Sequence, residues 1–198
     1  MKITDEIYQV GGGRFSSPED AAVYLIHFRE HAALVDAGCG RDQNKILSNI
    51  KKLGVAPEQI EYLLITHCHF DHTGGAKALR EITHCRTVAH EFDAPFLERG
   101  DSTVTAAGWY GSEMEAFPID IKLKGERQEI ALGERTIEAL HAPGHSPGSV
   151  VYVTKSQGLK VVFAQDVHGP LHPDLLSNKE NYLQSLEMLF SLGSVDIC

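Results

Sequence analysis

The segment His67-Cys68-His69-Phe70-Asp71-His72 constrains this chain more than any other stretch of it. It follows directly on Glu61–Thr66 (EYLLIT), a compact apolar run with the length and composition of a buried strand. Four potential metal ligands therefore lie within six positions at the end of a strand. A lone histidine is ordinarily a hydrogen-bonded core or surface residue. Three imidazoles and a carboxylate desolvated together cost several kcal/mol unless partners or a metal compensate. In a strand-end loop the alternate residues His67 and His69 can point the same way, with Asp71 and His72 across the turn. Imidazole suits zinc and iron, and the carboxylate adds a hard, anionic ligand. The segment reads as a metal site, and Gly74-Gly75 behind it lets the next helix pack close.

The rest of the chain is read around that site. Glu6–Val10, Ala22–Phe28 and Ala32–Val35 have strand character, the first two joined across Gly11-Gly12-Gly13. Helical spacing over Asp42–Leu53 puts Ile46, Ile50 and Leu53 on one face, with Asp42 as cap and Gly54 just past the end. A helix is predicted over Thr73–Glu81. Strands are predicted over Arg86–Ala89, Ile119–Leu123, Gln128–Leu132, Thr136–Leu140, Ser149–Thr154 and Lys160–Ala164, followed by a helix over Lys179–Leu192. Val195–Cys198 would begin a last strand. Two groups of strands, each followed by helix, suit two sheets packed face to face with helices outside. Asp93–Phe117, with Trp109, Tyr110 and Phe117, is a loop or helical insertion near the site.

Composition excludes several classes. The 198 residues show no internal repeat or linker and are read as one domain, 42% hydrophobic and 23% charged, as in a globular protein. A net charge of −9, with no basic cluster beyond Lys51-Lys52, makes nucleic acid an unexpected partner. No run approaches the ~20 apolar residues of a membrane span. The start MKITDEIYQV lacks the basic and apolar stretches of a secretory signal, so a cytoplasmic location is expected. Cys39, Cys68, Cys85 and Cys198 form no CxxC pair and are expected as free thiols, Cys68 as a packing residue turned away from its neighbours' metal.

Three motifs together complete a pattern. These are HxHxDH itself, a glycine-flanked His145 in Ala142-Pro143-Gly144-His145-Ser146-Pro147-Gly148-Ser149, and Asp166 after the strand in Val162-Phe163-Ala164-Gln165-Asp166. Together they resemble the metallo-β-lactamase superfamily over nearly the whole chain. The resemblance implies an α+β fold, an αββα sandwich of two mixed β-sheets flanked by helices, with a binuclear metal site along one edge. It implies that His67, His69 and His145 bind a first metal, Asp71 and His72 a second, and that Asp166 bridges them. An aspartate at 166 is similar to the glyoxalase II-like and lactonase-like hydrolases of the superfamily, and His69 differs from the Glu that flavo-diiron oxygen reductases carry there. Asp36, in Val35-Asp36-Ala37-Gly38, resembles an acidic position that orients a ligand histidine; an ordinary turn cap is the alternative. The family also completes its second site with a histidine in a Gly-His turn, near where Val195-Asp196-Ile197-Cys198 stands, so the domain over 1–198 is expected to lack its C-terminal end. His168 and His172 are conceivable substitutes, read in the first place as loop residues.

The function that follows is a metal-dependent hydrolase. Two divalent ions, zinc first with iron or manganese as alternatives, lower the pKa of bound water from ~15.7 toward ~7. The metal-bound hydroxide attacks an ester, thioester or lactone-type small-molecule substrate, and Asp71 orients it and relays a proton. No basic cluster resembles a thiol-cofactor anchor, so glutathione thioesters are not specially favoured. Two other readings are carried: a mononuclear iron sulfur (persulfide) dioxygenase, and a metal-binding module that no longer catalyses. A homodimer is carried as the working oligomeric state.

Overall fold

The computed structural model describes residues 1–198. Strands β1 (Ile7–Gly11), β2 (Val23–Phe28), β3 (His31–Val35), β4 (Ile60–Leu64), β5 (Arg86–His90) and β6 (Ile121–Leu123) form one six-stranded sheet in chain order. The first three pair antiparallel, and β3 through β6 run parallel. Strands β7 (Arg127–Leu132), β8 (Arg135–His141), β9 (Val150–Ser156) and β10 (Leu159–Phe163) form a second sheet in the order β10-β9-β8-β7, antiparallel throughout.

Burial explains why the first sheet reads as near-continuous apolar runs. It is covered on both faces, as parallel sheets are. Val23, Leu25, Leu34 and Leu63 face the helices, while Ile26, Val35, Leu64 and Val88 face the second sheet. The second sheet alternates instead: Ile130, Leu132, Ile137 and Tyr152 pack inward, and Glu129, Thr136 and Lys155 are exposed on the outside. The predicted face-to-face arrangement is therefore what forms.

Helix α1 (Gln43–Lys52) starts at Asp42, whose side chain accepts from the Lys45 N–H, and buries Ile46 and Ile50 as the spacing predicts. The helix predicted over Thr73–Glu81 is two pieces, α2 (Phe70–Thr73) and α3 (Ala76–Thr83). Gly74-Gly75 sits at the break because the loop after β3 passes too close for a side chain: a Cβ on Gly74 would lie 2.6 Å from the Cys39 carbonyl, and one on Gly75 2.4 Å from that of Ala37. The insertion holds α4 (Ala94–Arg99) and a 3-10 turn at Ala107–Tyr110. Helix α5 (Lys179–Phe190) ends two residues before the predicted limit, and Ile197 makes an isolated parallel bridge to Val161 where the last strand was expected to begin. All four cysteines are unpaired, and Cys68 is fully buried. No helix is long and apolar enough to cross a membrane.

Candidate metal centre

The chain brings its ionisable loops to one edge of the sandwich. The loops after β3 and β4 carry Asp36 and the segment from His67 to His72, the β8–β9 turn carries His145, and the loop after β10 carries Asp166. Potential ligand atoms of His67, His69, His145 and Asp166 lie within 4.8 Å of one another, and those of Asp71, His72 and Asp166 form a second such group. Asp166 belongs to both. Its Oδ2 lies 3.3 Å from His145 Nε2, 3.5 Å from His72 Nε2 and 3.7 Å from His67 Nε2. All six residues singled out from the sequence therefore meet in one place.

The imidazoles are aimed, not merely gathered. His145 Nδ1 donates to the Pro170 carbonyl at 2.7 Å, and His72 Nδ1 donates to Asp36 Oδ2 at 2.8 Å. The Thr66 hydroxyl gives its only proton to Asp36, so at 3.1 Å it accepts from His67 Nδ1. A proton on Nδ1 leaves Nε2 with its lone pair. The Nε2 atoms of His67, His69, His72 and His145 are all buried without a hydrogen-bond partner. Four buried ring nitrogens without partners, turned toward one another, are costly on their own, and a divalent cation offers a partner to all of them at once. The donor set of neutral nitrogens and carboxylates suits such a cation.

Electrostatics point the same way. Burial, reinforced by the neighbouring histidines, holds His67 and His69 well below the ordinary imidazole range, in the neutral form a metal needs. Burial also opposes charge on His72, but Asp36, Asp166 and Asp71 outweigh it and raise its pKa well above that range. Three carboxylates around one imidazole thus create a demand for positive charge, which a proton or a metal ion can meet.

Other residues fall outside the cluster. His168 Nε2 is 3.9 Å from Asp166 Oδ1, but its side chain is 80% exposed and its Nδ1 donates to the Gly169 carbonyl. His172 is exposed and accepts the Asp174 N–H. Neither belongs to the two groups of converging ligand atoms. Phe117 is buried in the core under the helices, whereas Trp109 is 56% exposed and meets His172 edge-on at 5.2 Å. His141 donates to the Pro147 carbonyl at 2.9 Å, a structural contact. Three supports went unread in the sequence: Thr66, the Pro170 carbonyl and Asp93. Asp93 precedes Ala94-Pro95 in a helix-start pattern, but its side chain makes no cap hydrogen bond, so that pattern gives no signal for its place at the site.

The profile of the metallo-beta-lactamase superfamily matches residues 17–198. The chain belongs to that superfamily. It is 33% identical over 181 residues to "Probable metallo-hydrolase YqgX" of Bacillus subtilis, covering 88% of this chain and 81% of that protein. It is 30% identical over 149 residues to a hydroxyacylglutathione hydrolase of Albidiferax ferrireducens, covering 74% of this chain and 47% of that longer protein. Among solved structures, a metallo-beta-lactamase of Cronobacter sakazakii superposes with a TM-score of 0.85 at 24% identity, over 99% of this chain and 74% of its own, a likeness of fold.

Proposed function

We propose that this superfamily member is a metal-dependent hydrolase of small acyl thioesters, with His67, His69, His145 and Asp166 holding one divalent ion and Asp71, His72 and Asp166 a second. Zinc is the metal we assign to both. One observation carries the reading: four buried Nε2 atoms without partners converge on a carboxylate shared by both groups. The thioester class is supported by the named activity of the Albidiferax relative, since an acyl group on glutathione is held through sulfur.

When bound, the ions supply Lewis acidity and a water acidic enough to ionise near neutral pH. The chain's own residues do the rest. Pro170, Asp36 and Thr66 hold three imidazoles in the tautomer that leaves Nε2 free. To Asp71, whose side chain is 22% exposed, we assign acceptance of the proton of an attacking water and its transfer to the departing thiolate sulfur.

The test is metal content of the chain purified without chelator, together with hydrolysis of an S-acyl glutathione followed by loss of the thioester absorbance. Bound zinc with thioesterase activity that His69→Ala abolishes is the expected result. Iron with thiol-dependent oxygen uptake, or metal without any hydrolysis of thioesters, overturns it.

A further inference from the structure

The two loops that bring histidines to the centre come from different sheets, and their spacing needs its own support. Asp93, just past β5, is fully buried. Its Oδ2 accepts the Cys68 N–H at 2.9 Å and the Ser146 hydroxyl at 2.6 Å, and its Oδ1 accepts the Gly148 N–H at 2.6 Å. Cys68 lies between His67 and His69, and Ser146 follows His145. No other side chain hydrogen-bonds to both the segment from His67 to His72 and the β8–β9 turn. The approach is close enough to require glycine opposite it: a Cβ on Gly148 would lie 2.7 Å from the Asp93 carboxyl carbon. The Ser146 hydroxyl is further fixed at 2.9 Å from Ser149 Oγ.

We infer that Asp93 is a positioning residue that sets the distance between the two histidine-bearing loops and thereby the geometry of the metal centre; the inference rests on the metal reading proposed above. An acceptor-only carboxylate matches three converging donors, two of them backbone N–H groups that cannot turn away. An amide in its place must set an NH2 against Cys68 or against Gly148, so one of the loops loses its hold. Groups that orient metal-binding side chains in this way typically govern metal affinity by ~10–100-fold.

The experiment compares the wild-type chain with Asp93→Asn, and with Asp120→Asn as a structural control. Asp120 accepts from Thr87 and Arg80 between β5 and β6 and touches neither loop. The chain is loaded with cobalt(II), and binding affinity and visible absorption are read alongside thermal unfolding. Asp93→Asn is expected to weaken cobalt binding roughly 10–100-fold and to shift the absorption bands. Asp120→Asn should lower the melting temperature while leaving affinity and spectrum at wild-type values. Should Asp93→Asn fail to fold, Ser146→Ala removes one of the three donors and is expected to change the spectrum in the same direction by less. Wild-type affinity and spectrum in Asp93→Asn, or in a folded Ser146→Ala where the first variant is lost, overturn the role of Asp93 and leave the metal site standing. A wild-type chain that binds no cobalt overturns the metal reading itself, and this inference with it.

Discussion

The Asp36 carboxylate accepts a 2.8 Å hydrogen bond from His72 Nδ1, with both side chains closed to solvent. The same carboxylate takes the backbone N–H and the hydroxyl of Thr66 at 2.9 and 2.8 Å. It therefore decides the tautomer of His72 directly and that of His67 through Thr66. Asp36 adopts a left-handed backbone (φ 61°), which Asp and Asn tolerate better than most residues. Asp36→Asn should keep that backbone and the bond to the Thr66 N–H, but its NH2 would face His72 Nδ1. The imidazole proton then moves to Nε2, the atom turned toward Asp71 and Asp166. The same NH2 meets the Thr66 hydroxyl that orients His67, so metal titration of this variant should show binding weakened ~10–100-fold at both positions.

Removing metal should cost stability as well as activity. A ligand that binds only the folded state adds about 2.7 kcal/mol when its free concentration is about 100 times its dissociation constant. Calorimetry of the wild-type chain should therefore show a lower melting temperature in chelator than in zinc. His69 is the ring to truncate, because its Nε2 has no partner in the protein to lose. His69→Ala should cut the zinc-dependent gain in melting temperature to what the ion at Asp71, His72 and Asp166 contributes. A full zinc-dependent gain in this variant would remove His69 from the metal-binding set.

How much of this was legible in the sequence depends on how far each feature reaches along the chain. The run Glu61–Thr66 and the hexapeptide behind it are local, so strand β4 and its histidines could be read at once. Helix α1 carries its own cap and period, and Asp42, Ile46 and Ile50 stand where the spacing puts them. The break between α2 and α3 was not legible, because it is imposed by the Cys39 and Ala37 carbonyls some 40 residues earlier in the chain. Helix α4 has only six residues and depends on tertiary contacts more than on propensity. Asp93 escaped for the same reason: its partners Cys68, Ser146 and Gly148 come from two other loops, and no spacing along the chain announces them.

The close passage of the loop after β3 makes Gly75 a sharp test of the packing behind the site. A Cβ there would lie 2.2 Å from the Gln43 side chain and 2.4 Å from the Ala37 carbonyl; the side chain can swing away, but the backbone oxygen cannot. Gly75→Ala should destabilise by ~1–3 kcal/mol, the usual cost of overpacking. Because Ala37 adjoins Asp36, zinc affinity should fall in the same variant. Gly108→Ala is the comparison, since nothing lies within 4 Å of a Cβ at that position. Denaturant midpoints for the pair should separate, with only the first displaced.

His90 gives the fold an acid sensitivity away from the metal-binding residues. Its ring stacks on His141 with centroids 3.8 Å apart and planes 4° from parallel. Burial first, and the neighbouring His141 second, push its pKa from 6.5 down to about 4. In the unfolded chain the same histidine takes up a proton as pH falls through 6.5. Between that value and about 4 the unfolded state therefore binds more protons than the folded one, and stability drops as pH falls through this window. Above it His90 is neutral in both states and contributes no slope. His90→Phe keeps an aromatic surface against His141 and removes the titration. Urea unfolding of both chains in chelator, at pH values spanning the window, should show the wild type losing more stability toward acid than the variant. Equal slopes would mean that His90 is protonated in the folded protein as readily as in the unfolded one.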